Sequence, residues 1–324
     1  MVALDKIMKK SIVISPQDMC GVDWIALAAR TGLNTLAFHT GGPNHDVKAA
    51  LRPVVGENFR VRCEKAGLAC EYEEHVAGTF LTPDLFLSHP DYLACDAMGR
   101  RQTGERVNWC VSSVGMRDII AARAEELARF LRPMSHRYYF WSADSADGLC
   151  RCPACSQYSQ ADLNMLGVNA MAAGIVRADP QAEVAYLAYS ASSYAPPNTV
   201  APHPAVFLEF APYVRRFDFA IDDDSCETNR KFRVALVNLL EFFPPARAHV
   251  LEYWLDVSLY NHYGPLNCPV SVTKEVMKRD MEFYGGLGLR NFATFACDMN
   301  REYFDRFSDE PLQWYGELLN SIFK

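Results

Sequence analysis

Short β-rich runs alternate with helical runs from one end of this chain to the other, and that alternation limits the fold more than any other feature of the sequence. Strands are expected at residues 11–15, 35–39, 68–73, 138–141, 183–189, 205–210, 249–255 and 291–296, each too short and too rich in branched or aromatic residues to be a helix. Helices are expected at 23–30, 54–66, 116–131, 162–178, 227–243, 274–284 and 310–323. The fourth of these places Leu163, Leu166, Ala170, Ala173 and Val176 on one face at spacings of three and four. Gly32, Gly67 and the pair Gly285-Gly286 stand where helices should stop. Eight strands alternating with helices predict an α/β fold, a single (β/α)8 barrel over residues 1–324. An open doubly wound sheet would carry a phosphate loop at its first turn, and neither G-x-G-x-x-G nor a Walker A sequence follows any strand here.

Two connections depart from the pattern. Residues 76–108, after the third strand, are rich in Pro, Gly, Asp and Arg and too long for an ordinary βα loop, so they should shape a substrate pocket. Between the fifth and sixth strands, Pro196-Pro197 and Pro202-x-Pro204 exclude a long helix.

The fourth strand, Tyr138-Tyr139-Phe140-Trp141, is four aromatics in a row, too bulky and stiff for a loop, and it ends in Asp144, Asp147 and Gly148. At the carboxyl ends of parallel barrel strands such acids face a pocket; Asp-x-x-Asp-Gly is also ordinary turn chemistry. The other strand ends are acidic too. The third gives Glu73, Glu74 and His75, the sixth Glu209, the seventh Glu252 and Asp256, and the eighth Asp298, while His39 closes the second. Trp141, Tyr253 and Trp254 lie beside these acids, and flat rings next to carboxylates suit a sugar ring. One acid can protonate a leaving oxygen while another stabilises an oxocarbenium ion. The catalytic candidates are therefore Asp144, Glu252, Glu209 and Asp147. The substrate-binding candidates are Glu74, His75, Trp141, Tyr253, Trp254, Asp256, Asp298 and His39.

A net charge of −7 with no Lys/Arg block argues against nucleic acid. No apolar run approaches the roughly 20 residues that span a bilayer, and residues 1–10 lack the pattern of a secretory leader, so no membrane association and a cytoplasmic location are expected. Eleven cysteines, an odd number, fit reduced thiols. Cys150, Cys152 and Cys155 supply three thiols of a structural zinc site. A fourth ligand, Cys110 or a histidine, would have to come from elsewhere, and tight packing of a Cys-rich turn is the alternative. No cofactor is expected to be needed for catalysis. The oligomeric state is not legible.

Several of these segments together carry a resemblance: Tyr139-Phe140-Trp141-x-x-Asp144 followed by Cys150-x-Cys152-x-x-Cys155, Phe80-Leu81-Thr82-Pro83, Tyr186-Leu187-Ala188-Tyr189, Phe207-Leu208-Glu209-Phe210-Ala211-Pro212 and Leu251-Glu252-Tyr253-Trp254-Leu255-Asp256. The chain resembles a bacterial barrel family of unknown function related to glycoside hydrolase family 163, endo-acting β-N-acetylglucosaminidases, and more distantly to families 20, 67 and 84. The resemblance implies a retaining glycosidase, with the substrate's own N-acetyl group as one candidate nucleophile and Asp144 as its polariser or as the acid. Ala143 stands where substrate-assisted relatives often have a second carboxylate, so Asp147, Glu209 or Glu252 would have to partner Asp144. The expected function is hydrolysis of a glycosidic bond in a small glycan containing amino sugars. A catalytically silent carbohydrate-binding barrel and a metal-dependent sugar isomerase or lyase stand as alternatives.

Overall fold

The computed structural model describes residues 8–41, 46–102, 106–145, 149–189 and 194–323. Its strands are β1 (Lys10–Ile14), β2 (Thr35–Phe38), β3 (Ala69–His75), β4 (Arg137–Trp141), β5 (Glu183–Ala188), β6 (Val206–Phe210), β7 (His249–Glu252) and β8 (Asn291–Phe295), and in that order they form a closed barrel. Every described pairing is parallel, for instance Ile12 with Leu36, His75 with Trp141, and Val250 with Phe292. Parallel strands covered on both faces read as continuous apolar runs, and β2, β6 and β8 are buried at every position. The seventh strand is shorter than expected, ending at Glu252, so that Asp256 caps the short helix Val257–Tyr260.

The principal helices are α1 (Trp24–Arg30), α2 (Glu57–Lys65), α3 (Val114–Leu131), α4 (Gln160–Ala178), α5 (Glu227–Phe242), α6 (Lys274–Gly286) and α7 (Glu310–Ile322). The starts of α1, α3, α4 and α6 are capped by side chains: those of Asp23, Ser113, Ser159 and Thr273 accept from the backbone amides of Ala26, Met116, Asp162 and Val276. The expected stop at Gly285-Gly286 falls slightly later, since α6 runs through both glycines and the left-handed residue is Gly288, at φ 90°.

By compactness the chain divides into two units. The first holds residues 1–39, 57–70 and 209–324, with β1 and β8 paired at its centre. The second holds 40–56 and 71–208, where β4 pairs with both β3 and β5 and α3 packs along α4. The α3–α4 contact is close because of Gly174: a Cβ there would lie 1.9 Å from the carbonyl oxygen of Ala121.

Among the described residues between β5 and β6 there is no helix, in keeping with the prolines of that connection. Asp162 of α4 organises that connection instead, its Oδ1 accepting the amides of Asn198, Thr199 and Val200 at 2.9, 2.8 and 2.8 Å. The long segment after β3 holds short helices, Ala77–Phe80 and Pro83–Ser88, and returns through bridges pairing Leu93 with Trp109 and Cys95 with Arg101.

Candidate active site

In the second unit, parallel pairing sets the ends of β3 and β4 side by side and brings together Glu74, His75, Trp141 and Asp144. The Glu74 carboxylate accepts the Thr40 amide on Oε1 and the Thr40 hydroxyl on Oε2, both at 2.8 Å. It is 2 % exposed, and burial pushes its pKa to about 8 against the Thr40 hydrogen bonds, with Glu73 adding to the rise. Glu74 is therefore largely protonated at neutral pH.

His75 Nδ1 lies 2.8 Å from the Ser142 carbonyl oxygen, which can only accept, so Nδ1 carries the proton and Nε2 presents a lone pair. Burial holds its pKa below the ordinary histidine value, against the charge of Asp144. Its ring meets that of Trp141 edge-on at 5.0 Å and lies 6.1 Å from Tyr189.

Asp144 keeps about a quarter of its side chain exposed (26 %). Its Oδ1 accepts the Tyr189 hydroxyl at 3.0 Å, and its Oδ2 lies 3.7 Å from Arg106 Nη1. The backbone behind it is held by Asn108, whose Oδ1 accepts the Ala143 amide at 2.8 Å. His75, Asn108, Trp141, Asn164 and Tyr189 also line a cavity of about 30 Å³, room for a water molecule. Asp147 lies outside the described residues.

The strand-end acids of the first unit behave differently. Asp256 accepts from Ser258 Oγ at 2.6 Å, and the Asp298 amide reaches Asp18 Oδ2 at 3.3 Å. Burial raises the pKa of all three, Asp18 to about 7 and Asp256 to about 6, and the neighbouring Asp298 charge adds to both. Asp298 is left-handed, at φ 63°, which aspartate tolerates. Close by, an aromatic row joins His39 to Phe295 (5.3 Å between rings), Phe295 to Tyr253 (5.1 Å) and Tyr253 to Tyr213 (5.4 Å).

Two expected site residues lie elsewhere. Glu252 is fully buried, facing the helix layer: both its oxygens are 3.2 Å from Arg215 Nε, and Tyr284 of α6 donates to Oε1 at 2.6 Å. Trp254, expected as a pocket ring, is also fully buried, its indole N–H donating to Asp280 at 2.9 Å. Arg215 also pairs with Asp280, closing a five-residue polar knot of Glu252, Arg215, Tyr284, Trp254 and Asp280 in which a glutamate on an apolar strand finds its partners behind the strand. Glu209 is fully buried within β6, 3.9 Å from His249 Nε2. Trp141 is 3 % exposed and belongs mostly to the core.

Sequence reasoning missed Thr40, Arg106, Asn108, Tyr189 and Asp18. Asp18 left a local signature, a Ser15-x-x-Asp18 capping box at the end of β1, and Tyr189 closes the Tyr186-Leu187-Ala188-Tyr189 strand motif. A cavity of about 410 Å³ lies away from all of these acids, between α1 and residues 301–309, lined by Asp23, Arg30, Arg301 and Asp309.

Residues 46–288 match the family described as "Domain of unknown function (DUF4838)", and the chain belongs to that family. No curated protein matches it. Among solved structures it is similar to a GH36 alpha-galactosidase from Geobacillus stearothermophilus, with 11 % identity over 98 % of this chain and 42 % of that one and a TM-score of 0.53. It is also similar to a GH42 beta-galactosidase, with 11 % identity over 97 % and 56 % and a TM-score of 0.56. A glycoside hydrolase family 5 enzyme from Prevotella bryantii B14, crystallised with a xyloglucan tetradecasaccharide, matches with 10 % identity over 94 % and 87 % and a TM-score of 0.52. At such identities the likeness is one of fold, that of glycoside hydrolase barrels. The chain spans about two fifths of the GH36 enzyme and just over half of the GH42 enzyme.

Proposed function

We propose that the chain is a glycoside hydrolase acting on a small glycan that contains a 2-acetamido sugar. The observation that carries this reading is the division of labour at the ends of β3 and β4. Glu74 keeps its proton at neutral pH, whereas Asp144, partly exposed, has its charge balanced by Arg106. A buried acid that keeps its proton, beside a second carboxyl group faced by a guanidinium and a hydroxyl, is what general-acid cleavage with charge stabilisation needs. Glu74 is then the proton donor to the leaving oxygen. Asp144 offers a carboxylate for an amide N–H, and the Tyr189 hydroxyl, turned from Asp144 by that N–H, would donate its one proton to the carbonyl oxygen, a match to an acetamido group held for attack on its own anomeric carbon. The product would retain its configuration.

The test is a panel of aryl glycosides with and without a 2-acetamido group, assayed with the natural chain, Asp144→Asn and Tyr189→Phe. Hydrolysis confined to 2-acetamido substrates, lowered at least a hundredfold in Asp144→Asn, is expected. The withdrawal of Glu252 into the Arg215 knot favours a second reading, a barrel that binds sugar without cleaving it. Saturable sugar binding with no turnover on any member of the panel would select it.

A further inference from the structure

The structure assigns a single zinc ion to a cage of four thiolates, Cys110, Cys150, Cys152 and Cys155, that staples the long segment after β3 to the loop after β4. All four sulfurs are buried and lie within 4.8 Å of one another. The distances from Cys110 Sγ to Cys152 Sγ and Cys155 Sγ are 3.7 and 3.8 Å. A tetrahedron with zinc–sulfur bonds of about 2.3 Å has an edge of about 3.8 Å, which these two separations match, and the 4.8 Å limit on the others leaves the four sulfurs close enough to share one ion. Disulfides would bring pairs to about 2.05 Å, and all eleven cysteines are free.

Four thiols pressed together without a metal offer one another only weak S–H hydrogen bonds. With zinc, each thiol gives up its proton and the cage carries a charge of −2, which calls for donors around it. Those donors are present. The Cys95 amide points at Cys150 Sγ at 3.2 Å, and Arg101 Nη1 lies 3.8 Å from the same sulfur while also donating to the Leu93 carbonyl at 2.7 Å. Ser112 Oγ lies 3.1, 3.6 and 3.3 Å from the sulfurs of Cys110, Cys152 and Cys155. A cationic guanidinium aimed at a buried sulfur suits a thiolate and gains little from a thiol.

The spacing explains the local shape. Cys150-x-Cys152-x-x-Cys155 turns tightly enough to present three sulfurs from one loop, with the Cys152 carbonyl accepting the Ser156 amide at 2.9 Å. Cys110 arrives from the strand-like return that follows Trp109, so the fourth ligand comes from a different segment and the ion ties the two together.

The experiment is elemental analysis of full-length protein purified without chelator, together with the absorption spectrum of protein produced in cobalt-supplemented medium. About one zinc per chain is expected, with cobalt protein showing the intense d–d bands and sulfur-to-metal charge transfer of a tetrahedral tetrathiolate. Cys110→Ser should lose most of its metal, and Cys20→Ser, at an exposed thiol outside the cage, should keep it. Natural protein that is folded yet holds less than about a tenth of an equivalent of zinc, or a cobalt spectrum without sulfur charge transfer, would overturn the assignment. Both readouts use the natural chain, so the outcome stands even if Cys110→Ser fails to fold, and neither depends on the protein having hydrolase activity.

Discussion

Arg215 and Glu252 face one another wholly out of solvent, the guanidinium Nε 3.2 Å from each carboxylate oxygen, with Asp280 on the other side of the arginine and Tyr284 on the other side of the glutamate. Removing one charge from such a pair strands the other in a medium that cannot solvate it. Glu252→Gln is therefore expected to cost roughly 3 kcal/mol of stability. Urea unfolding measures it, and a change within about 0.5 kcal/mol of zero, the range of an inconsequential surface substitution, would show that the knot does not support the fold.

Trp254 anchors the same knot through its indole N–H. Trp254→Phe keeps a ring but loses a hydrogen bond to a carboxylate and leaves space behind, at a cost of roughly 2–4 kcal/mol. The unfolding midpoint should drop while KM for any cleaved glycoside stays as it was. A raised KM at unchanged stability would return this ring to the sugar site.

These two residues mark where the sequence stopped being legible. The barrel was readable because strands covered on both faces must be apolar runs and helices covered on one face must repeat every three to four residues, as Leu163 and Ala170 do. The sequence also placed Glu252 on a strand with no polar face and required a partner for it. It could not say that the partner was Arg215, since a contact across 37 positions leaves no periodic trace. Glu74, His75 and Asp144 were legible because they end strands. Thr40, Arg106 and Asn108, which hold them, lie in loops whose pairing only the fold decides. The sequence offered three neighbouring thiols for a proposed zinc site and left the fourth ligand between Cys110 and a histidine; only the fold brings the Cys110 sulfur to the other three.

Asp162 gives a prediction with the opposite charge logic to the buried acids. Burial alone would raise its pKa, but the Ser159 hydroxyl and the amides of Thr199, Val200 and Asn198 outweigh it and hold the carboxyl at about 2. A depressed pKa contributes stability above the unfolded value of about 4, which is lost as pH falls toward 2. Asp162→Asn should cost roughly 1.5–3 kcal/mol at pH 7, the range of hydrogen bonds to a charged group, with a much smaller difference from the natural chain near pH 2. Equal destabilisation at both pH values would mean that shape, not charge, holds the proline-rich connection.

Asp18 should make the fold more stable in mild acid. Its carboxyl, raised to about 7, is protonated in the folded chain at pH values where the unfolded chain has already ionised it, so folding takes up a proton between about pH 4 and 7. Stability falls as pH rises through that window, by at most about 1.4 kcal/mol per pH unit for one group. Asp18→Asn keeps an acceptor for the amides of Ser15 and Asp298 and should flatten the slope. An unaltered slope would assign the proton uptake to other groups.

Glu74 carries the sharpest test of the proposed chemistry, because an acid with a raised pKa leaves two independent kinetic marks. Its pKa of about 8 predicts that activity declines as pH rises through 8, where an ordinary glutamate would already have lost its proton some 3 to 4 units lower. Glu74→Gln keeps an acceptor for Thr40 but has no proton to give. Substrates with poor leaving groups should slow at least a hundredfold, nitrophenyl glycosides, which need little protonation, by much less, and the alkaline limb should disappear in the variant. Chemical denaturation of the same variant separates this from a loss of fold. Equal slowing on both kinds of substrate with the alkaline limb intact would move the proton donor away from the end of β3, leaving Glu74 as the residue that positions Thr40.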